Sequence, residues 1–368
     1  IAQCLVGSEM CIRDSYYYTR MNKLQQSAYY DMKAGLRSMA PLFTVPKLEN
    51  RELGDLFFRL RLDCPDIFYA SGFHYRFYPE SNKVEMIPEY LFDKAKITEH
   101  QKALESRIAK LVRPALNMTE WEKELYIHDF ICSSVRYDKL KKAYSHEIIG
   151  PLGQGVGVCE GIAKTVKVLC DALGIWCMIA VSEANPEKSI KYRHAWNVVR
   201  IGGTYYHLDA TFDNTLGDRD AVRYDYFNLD DTRLFRDHEP VMYKTPSCTD
   251  NGSSYYITKK LSFTKIEDVE KRAIQAAKKN KMLTFHWRGG YLTREKLSGL
   301  LQMLEHTAQE KGKYARIHVN MAQAVLSVRF AEEVTDEELV MEDANEGERE
   351  IIGNREKHRK CVESRAKE

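Results

Sequence analysis

Gly157-Val158-Cys159-Glu160-Gly161, His194-Ala195-Trp196-Asn197 and Tyr205-Tyr206-His207-Leu208-Asp209 follow one another along the chain and decide how it is read. The first opens a helix: Ile162, Ala163, Val166, Leu169, Cys170 and Leu173 recur at helical spacing, and Gly174 ends it. IWCMIAV, residues 175–181, is an apolar strand, and residues 182–192 form a polar segment that turns at Asn185-Pro186. HAWNVVRI, residues 194–201, and TYYHLDA, residues 204–210, are strands joined by a tight turn at Gly202-Gly203. A thiol at a helix start, an imidazole and a carboxylate thus come from three consecutive elements. Unsatisfied N–H groups at a helix start favour a thiolate, and a carboxylate on one ring nitrogen turns the other toward the sulfur. The chemistry implied is attack on a carbonyl to give a thioester, which water or an amine resolves. The Cys159 N–H is the default oxyanion donor, with the preceding loop, or a side chain such as Gln154 or Tyr137, as candidates for the second.

Upstream, helices are expected around 23–38 and 50–61, then a hairpin from FHYRFY, 73–78, and KVEMI, 83–87. Two more helices follow, one starting near Thr98 and one capped by Thr119 with Glu122 completing a capping box. His128 lies on the apolar face of the second and reads as a core histidine. Beyond Pro246, helices near 266–279 and 294–311 alternate with strands at MLTFHW, ARIHV (315–319) and AVLSVRF (324–330). The expected division is 1–95, an N-terminal helical and hairpin flank; 96–248, the catalytic domain; 249–331, a small α/β domain; and 332–368, a charged, solvated tail.

At 368 residues and 44% hydrophobic the chain can bury a real core, and a net charge of +2 offers no global field for nucleic acid or anionic membranes. No apolar run is long enough to span a bilayer. The nine cysteines, at 4, 11, 64, 132, 159, 170, 177, 248 and 361, are scattered, which favours a reducing compartment and a cytoplasmic location, with Ile1 leaving the natural start open.

Together the GVCEG, HAWN and YYHLD segments, with Asp209-Ala210-Thr211-Phe212-Asp213 after them, closely resemble the transglutaminase-like superfamily, especially its bacterial members. Ile127-His128-Asp129-Phe130 and Val135-Arg136-Tyr137-Asp138 resemble the segment such domains carry before the nucleophile, and Asp66-Ile67-Phe68-Tyr69 one often found further upstream. The resemblance implies an α+β fold: a papain-like core with the nucleophile helix packed on an antiparallel sheet, here with a smaller C-terminal α/β domain. It makes Cys159 the nucleophile, His194 the base and Asp209 the orienting carboxylate. It also sets Trp196 behind the histidine, with Asp213 and Asn214 shaping a loop beyond. Hydrolysis of peptide or protein amide bonds is the favoured reaction, because no dedicated acyl-acceptor domain is evident and water is the default nucleophile. The alternatives are protein-glutamine crosslinking and an inactive peptide-binding scaffold.

No cofactor is expected. The scattered Cys and His residues include no CxxC pair, so zinc is not expected, although strand alternation sets His207 on the Asp209 side. No EF-hand-like loop suggests calcium, and Asp213, Asp218 and Asp220 read as turn acids. Lys271, Arg272, Lys278, Lys279 and Lys281 with Phe285 and Trp287 raise a nucleic-acid reading, but amphipathicity explains the lysines equally well. The expected partner is a peptide or protein substrate.

Overall fold

The structure, a computed structural model, describes residues 15–188, 190–217, 221–289 and 291–332. The tail from residue 333 on, Asp218, Asp220, Cys4, Cys11 and Cys361 lie outside the described residues. The architecture is α+β, and the chain forms two compact units. One holds the residues up to Val181 with Ala195–Arg223; the other holds Ser182–His194 with the residues from Tyr224 on.

The first unit opens with α1 (Lys23–Arg37), whose Asn22 and Gln25 form a reciprocal capping box. Strand β1 (Phe43–Pro46) follows, then α2 (Asn50–Asp63), β2 (Ala70–Phe77) and β3 (Lys83–Tyr90). The β2–β3 hairpin is antiparallel, and β1 adds to the outer side of β3, giving the order β1-β3-β2. Helix α3 (Lys94–Val112) begins before Thr98, because the Asp93 carboxylate accepts the Lys96 N–H at 2.8 Å and caps it there. Helix α4 (Glu120–Ser134) carries the Thr119–Glu122 capping box.

Short strands β4 (Arg136–Tyr137) and β5 (Val156–Gly157) pair in parallel just before α5 (Cys159–Ala172). Then come β6 (Cys177–Ser182), β7 (His194–Ile201), β8 (Thr204–Leu208) and α6 (Ala210–Leu216). Strands β6, β7 and β8 are neighbours in that order, and β7 and β8 run antiparallel from Ile201↔Thr204 to Asn197↔Leu208. Gly202 and Gly203 turn between them at φ 58 and 84, angles that glycine adopts without strain. Helix α5 buries the Ile162, Ala163, Val166, Leu169 and Cys170 face, and Asn197 on β7 donates to its Ala163 carbonyl at 2.9 Å.

In the second unit the 182–192 segment bridges Asn185 to Ile190 and Ser182 to Val241, and the Asn185 amide and Lys188 ammonium both reach Glu239. The short elements β9 (Phe227–Leu229), α7 (Asp231–Leu234) and α8 (Tyr255–Thr258) precede an α/β fold. That fold comprises β10 (Ser262–Phe263), α9 (Ile266–Lys278), β11 (Leu283–Trp287), α10 (Arg294–Gln309), β12 (Tyr314–Asn320) and β13 (Val325–Ala331), with sheet order β10-β11-β13-β12. Phe285 and Trp287 belong to its buried cluster with Ile317, Leu326 and Leu300. They offer no exposed ring to stack on a base, while Lys271, Arg272 and Lys278 line the solvated face of α9 and Lys279 follows at its end. The basic run is therefore the polar side of an amphipathic helix.

No described helix is long and apolar enough to cross a membrane.

One half-buried acid in the first unit ties stability to pH. Burial pushes the Asp63 carboxyl up to about 6, against hydrogen bonds from Ser15 and Tyr29 and the nearby Lys167 and Lys33. Between about pH 4, the ordinary aspartate value, and pH 6, the folded chain holds a proton that the unfolded chain releases. Stability contributed by Asp63 therefore falls as pH rises through that window. Asp63→Asn is expected to flatten this part of the stability curve, measured by urea denaturation from pH 4.5 to 7.5. An unchanged slope would contradict the assignment.

Candidate active site

Cys159 is the first residue of α5, and Val158 caps the helix in an extended conformation without a side-chain acceptor. The first N–H groups of such a helix point outward with no acceptor four residues back. The approach to Cys159 is fixed on both sides. Asp138 donates its N–H to the Gly157 carbonyl at 3.0 Å, and Val158 donates to the Ser145 carbonyl at 3.0 Å. Gly161 is required by this packing: a Cβ there would stand 2.2 Å from the Ser145 carbonyl oxygen. The thiol itself is half-buried.

The first turn of α5 is clamped by a buried ionic cluster. The Lys164 ammonium, fully buried, meets Glu160 at 2.7 Å and Glu147 at 2.8 Å; Arg61 contacts Glu147, and His146 contacts Glu160 at 3.2 Å. Burial works to raise the Glu160 carboxyl, but Lys164, the His146 hydrogen bond and Arg61 outweigh it and hold the group far below the usual carboxylate range.

Tyr137, paired with Gly157 across the β4–β5 ribbon, lies beside the nucleophile. Burial raises its phenol well above the ordinary value, and the Cys159 thiol and the Asp209 carboxylate raise it further. The hydroxyl thus stays protonated near both groups, an O–H donor at neutral pH. Gln154, the other side chain considered as a donor, is exposed at the end of a π-helical turn, Gly150–Gln154.

Asp209 stands at the end of β8 and caps α6: its Oδ1 accepts the N–H groups of Thr211 at 2.9 Å and Phe212 at 3.0 Å. The segment after it is therefore a helix, where a loop was expected, because an aspartate is a favoured N-cap. Two contacts to α4 pin that helix. Asp213 meets the buried His128 ring at 3.0 Å, and the Asn214 amide donates to the Ile131 and Val135 carbonyls at 3.2 and 2.8 Å. Burial alone would lower the His128 pKa; Cys132, Asp129 and Asp213 overcome it and raise it well above the ordinary value. His128 is thus a partnered core histidine, as its position on the apolar face suggests. Trp196 is buried and donates its indole N–H to His207 Nδ1 at 3.1 Å, so His207 serves as a packing partner of the tryptophan.

His194 is the first residue of β7 and belongs to the second unit. There its ring lies 5.4 Å from that of His238, which is buried and bonded through Nδ1 to Asp237 at 2.9 Å. Tyr226 donates its hydroxyl to the other Asp237 oxygen at 2.6 Å. Sequence reasoning did not single out His238; an isolated Asp-His pair after a short helix carries no spacing signal. It also left out the Glu160–Lys164 pair, whose i,i+4 spacing is the one trace of the cluster in the sequence. Within either unit taken alone, the described residues bring no three His, Cys or acidic ligand atoms close enough to share a metal ion.

Residues 105–210, a span that includes Cys159, His194 and Asp209, match the family model of the Transglutaminase-like superfamily. None of the curated proteins matches the chain. Similar solved structures include a TGase, 14% identical with a TM-score of 0.26 over 39% of this chain and 44% of that one. Another is a candidate cysteine protease from Cytophaga hutchinsonii, 18% identical with a TM-score of 0.25 over 38% of this chain and 61% of that one. The chain spans less than two thirds of either structure. Residues 105–210 are thus similar in sequence to a transglutaminase-like domain.

Proposed function

We propose that Cys159, His194 and Asp209 act as a Cys-His-Asp triad in cysteine-dependent acyl transfer, and that the reaction is hydrolysis of peptide or protein amide bonds. The observation that carries this reading is the half-buried Cys159 thiol at a helix start that has no side-chain cap, with the protonated Tyr137 hydroxyl nearby.

In this mechanism Cys159 gives its thiol proton to His194, the resulting thiolate attacks the amide carbonyl carbon, and the C=O π electrons move onto oxygen. The Cys159 N–H and the Tyr137 O–H donate to that oxyanion. As the tetrahedral intermediate collapses, the C–N bond breaks and His194 protonates the departing amine, leaving a thioester. His194 then takes a proton from water, the hydroxyl attacks the thioester carbon, and the C–S bond breaks to release the acid. Asp209, with one oxygen anchored by two backbone N–H groups, holds the His194 ring in the productive tautomer.

The Tyr137 assignment makes a prediction of its own. Removing one oxyanion donor typically costs about 10²-fold in turnover. Tyr137→Phe is expected to lower kcat by that order with little change in KM. A variant with unaltered kcat would remove Tyr137 from the oxyanion site.

To test the reaction, wild-type and Cys159→Ala protein are incubated with a peptide and protein mixture plus a labelled primary amine, and products are read by mass spectrometry. Cys159-dependent cleavage without label is the expected result. Cys159-dependent label on glutamine would replace hydrolysis with crosslinking, and neither product would favour the binding scaffold.

A further inference from the structure

Away from the nucleophile, the first unit contains a small polar cleft with room of about 60 Å³, several times what one water requires on this measure. Tyr29, Lys33 and Arg37 line it at successive four-residue steps on one face of α1, Asp63 ends α2 and Asp66 follows it, and Asp171 comes from the last turn of α5. Twelve residues along α5 separate Asp171 from Cys159, roughly 18 Å at 1.5 Å per residue. The cleft is therefore not part of the proposed reaction centre.

Most of its charges are internally satisfied. Arg37 pairs with Asp66 at 2.7 Å, and Asp171 is held by Lys167 at 2.9 Å. Two are not. Lys33 is only 4% exposed, and among the described residues no oxygen accepts a hydrogen bond or ion pair from its ammonium. Asp63 takes hydroxyl donors from Ser15 and, at 3.2 Å, from Tyr29, yet no described cation comes within ion-pair distance of it. Lys33 and Asp63 act on one another electrostatically but do not meet, so each lacks an ionic partner and is left to solvent at the same cleft. A ligand that displaces that solvent must bring both an acceptor for Lys33 and a donor cation for Asp63, because a charge stripped of water without a partner is costly. A simple anion would meet Asp63, Asp66 and Asp171, and a simple cation would meet Lys33 and Arg37. One molecule carrying both charges a few bonds apart answers both ends.

We propose that this cleft is a binding site for a small zwitterion of the α-amino-acid class, its carboxylate on Lys33 and its ammonium on Asp63. The support is geometric: a concave site, a buried lysine and a half-buried aspartate that line it without ionic partners, and a size that admits a few heavy atoms. The elevated Asp63 carboxyl agrees, since it marks a carboxylate whose burial the protein itself does not offset. The proposal is independent of the reaction assigned to Cys159.

The test is calorimetric titration of the full chain with glycine, and with acetate, methylammonium and N-acetylglycinamide as probes that lack one or both charges. Glycine is expected to bind saturably in the millimolar range or tighter and to raise Tm accordingly. Each of the three other probes is expected to bind at least tenfold more weakly. Lys33→Met and Asp63→Asn are each expected to weaken glycine at least tenfold, with Lys33→Arg retaining part of the affinity. The probe series on wild-type protein needs no variant and stands if a substitution fails to fold. No saturable glycine binding, equal binding of glycine and N-acetylglycinamide, or an undiminished glycine affinity in folded Lys33→Met protein would overturn the proposal.

Discussion

Cys159→Ala protein is expected to lose peptide cleavage by about 10³-fold or more, as removal of a nucleophile does in enzymes whose triad acts as a unit. The same loss is expected for His194→Ala, and the double variant should be no worse than either single one, because sulfur and imidazole serve one step. Substrate capture should survive: the alanine removes a sulfur atom at a half-buried position and leaves the Val158–Ser145 and Asp138–Gly157 backbone bonds in place. A pull-down with the Cys159→Ala chain should therefore hold substrates the wild type cleaves. The measurement is single-turnover cleavage of an identified peptide, with binding followed in parallel. Cleavage by Cys159→Ala within tenfold of wild type would rule out the thiol as nucleophile.

The largest stability effect is expected at Lys164. Its ammonium is fully buried between Glu147, which is nearly as buried, and Glu160. Lys164→Met keeps much of the volume and removes the charge, stranding carboxylates in a low-dielectric site; breaking a buried pair in this way costs about 3–5 kcal/mol. Arg61 and His146 remain, which places the expectation toward the lower end. The wild-type cluster needs ionised carboxylates. With the Glu160 pKa depressed, its contribution is present above the ordinary glutamate range, near pH 4.3, and is lost as pH falls through the lower folded value. The Lys164→Met penalty should accordingly hold from neutral pH down to about pH 4.3 and shrink below it, and Glu160→Gln in the same chain should restore part of it. Urea denaturation at pH 7 and pH 3 measures both. A loss under about 1 kcal/mol at pH 7 would contradict the account.

The elements around the site were legible where local chemistry sets them. The eight residues His194–Ile201 form a strand with the bounds read from HAWNVVRI, and Thr119 and Glu122 cap α4 as their spacing indicates. Boundaries slipped where two acceptors compete. Asp93 starts α3 ahead of Thr98, and Asp209 ends its strand at Leu208 to cap a helix. What sequence could not show is long-range. Strand β1, with a proline at its end, has meaning only as a partner for β3. Glu160 and Lys164 look like an ordinary solvated pair until Glu147 and Arg61 arrive from distant segments. Lys33 resembles any lysine on a helix until α2 and α5 close over it. The place of Tyr137 beside Gly157 likewise comes only from the β4–β5 pairing.

The most direct measurement is the alkylation rate of each cysteine by iodoacetamide at neutral pH, followed by peptide mapping. Cys132 is the internal standard: it is half-buried like Cys159, and burial pushes its thiol up. If Cys159 is the activated nucleophile, it reacts at least tenfold faster than Cys132 and the buried Cys64, Cys170, Cys177 and Cys248, and His194→Gln removes that advantage. Equal rates for Cys159 and Cys132, unaffected by His194→Gln, would contradict the triad.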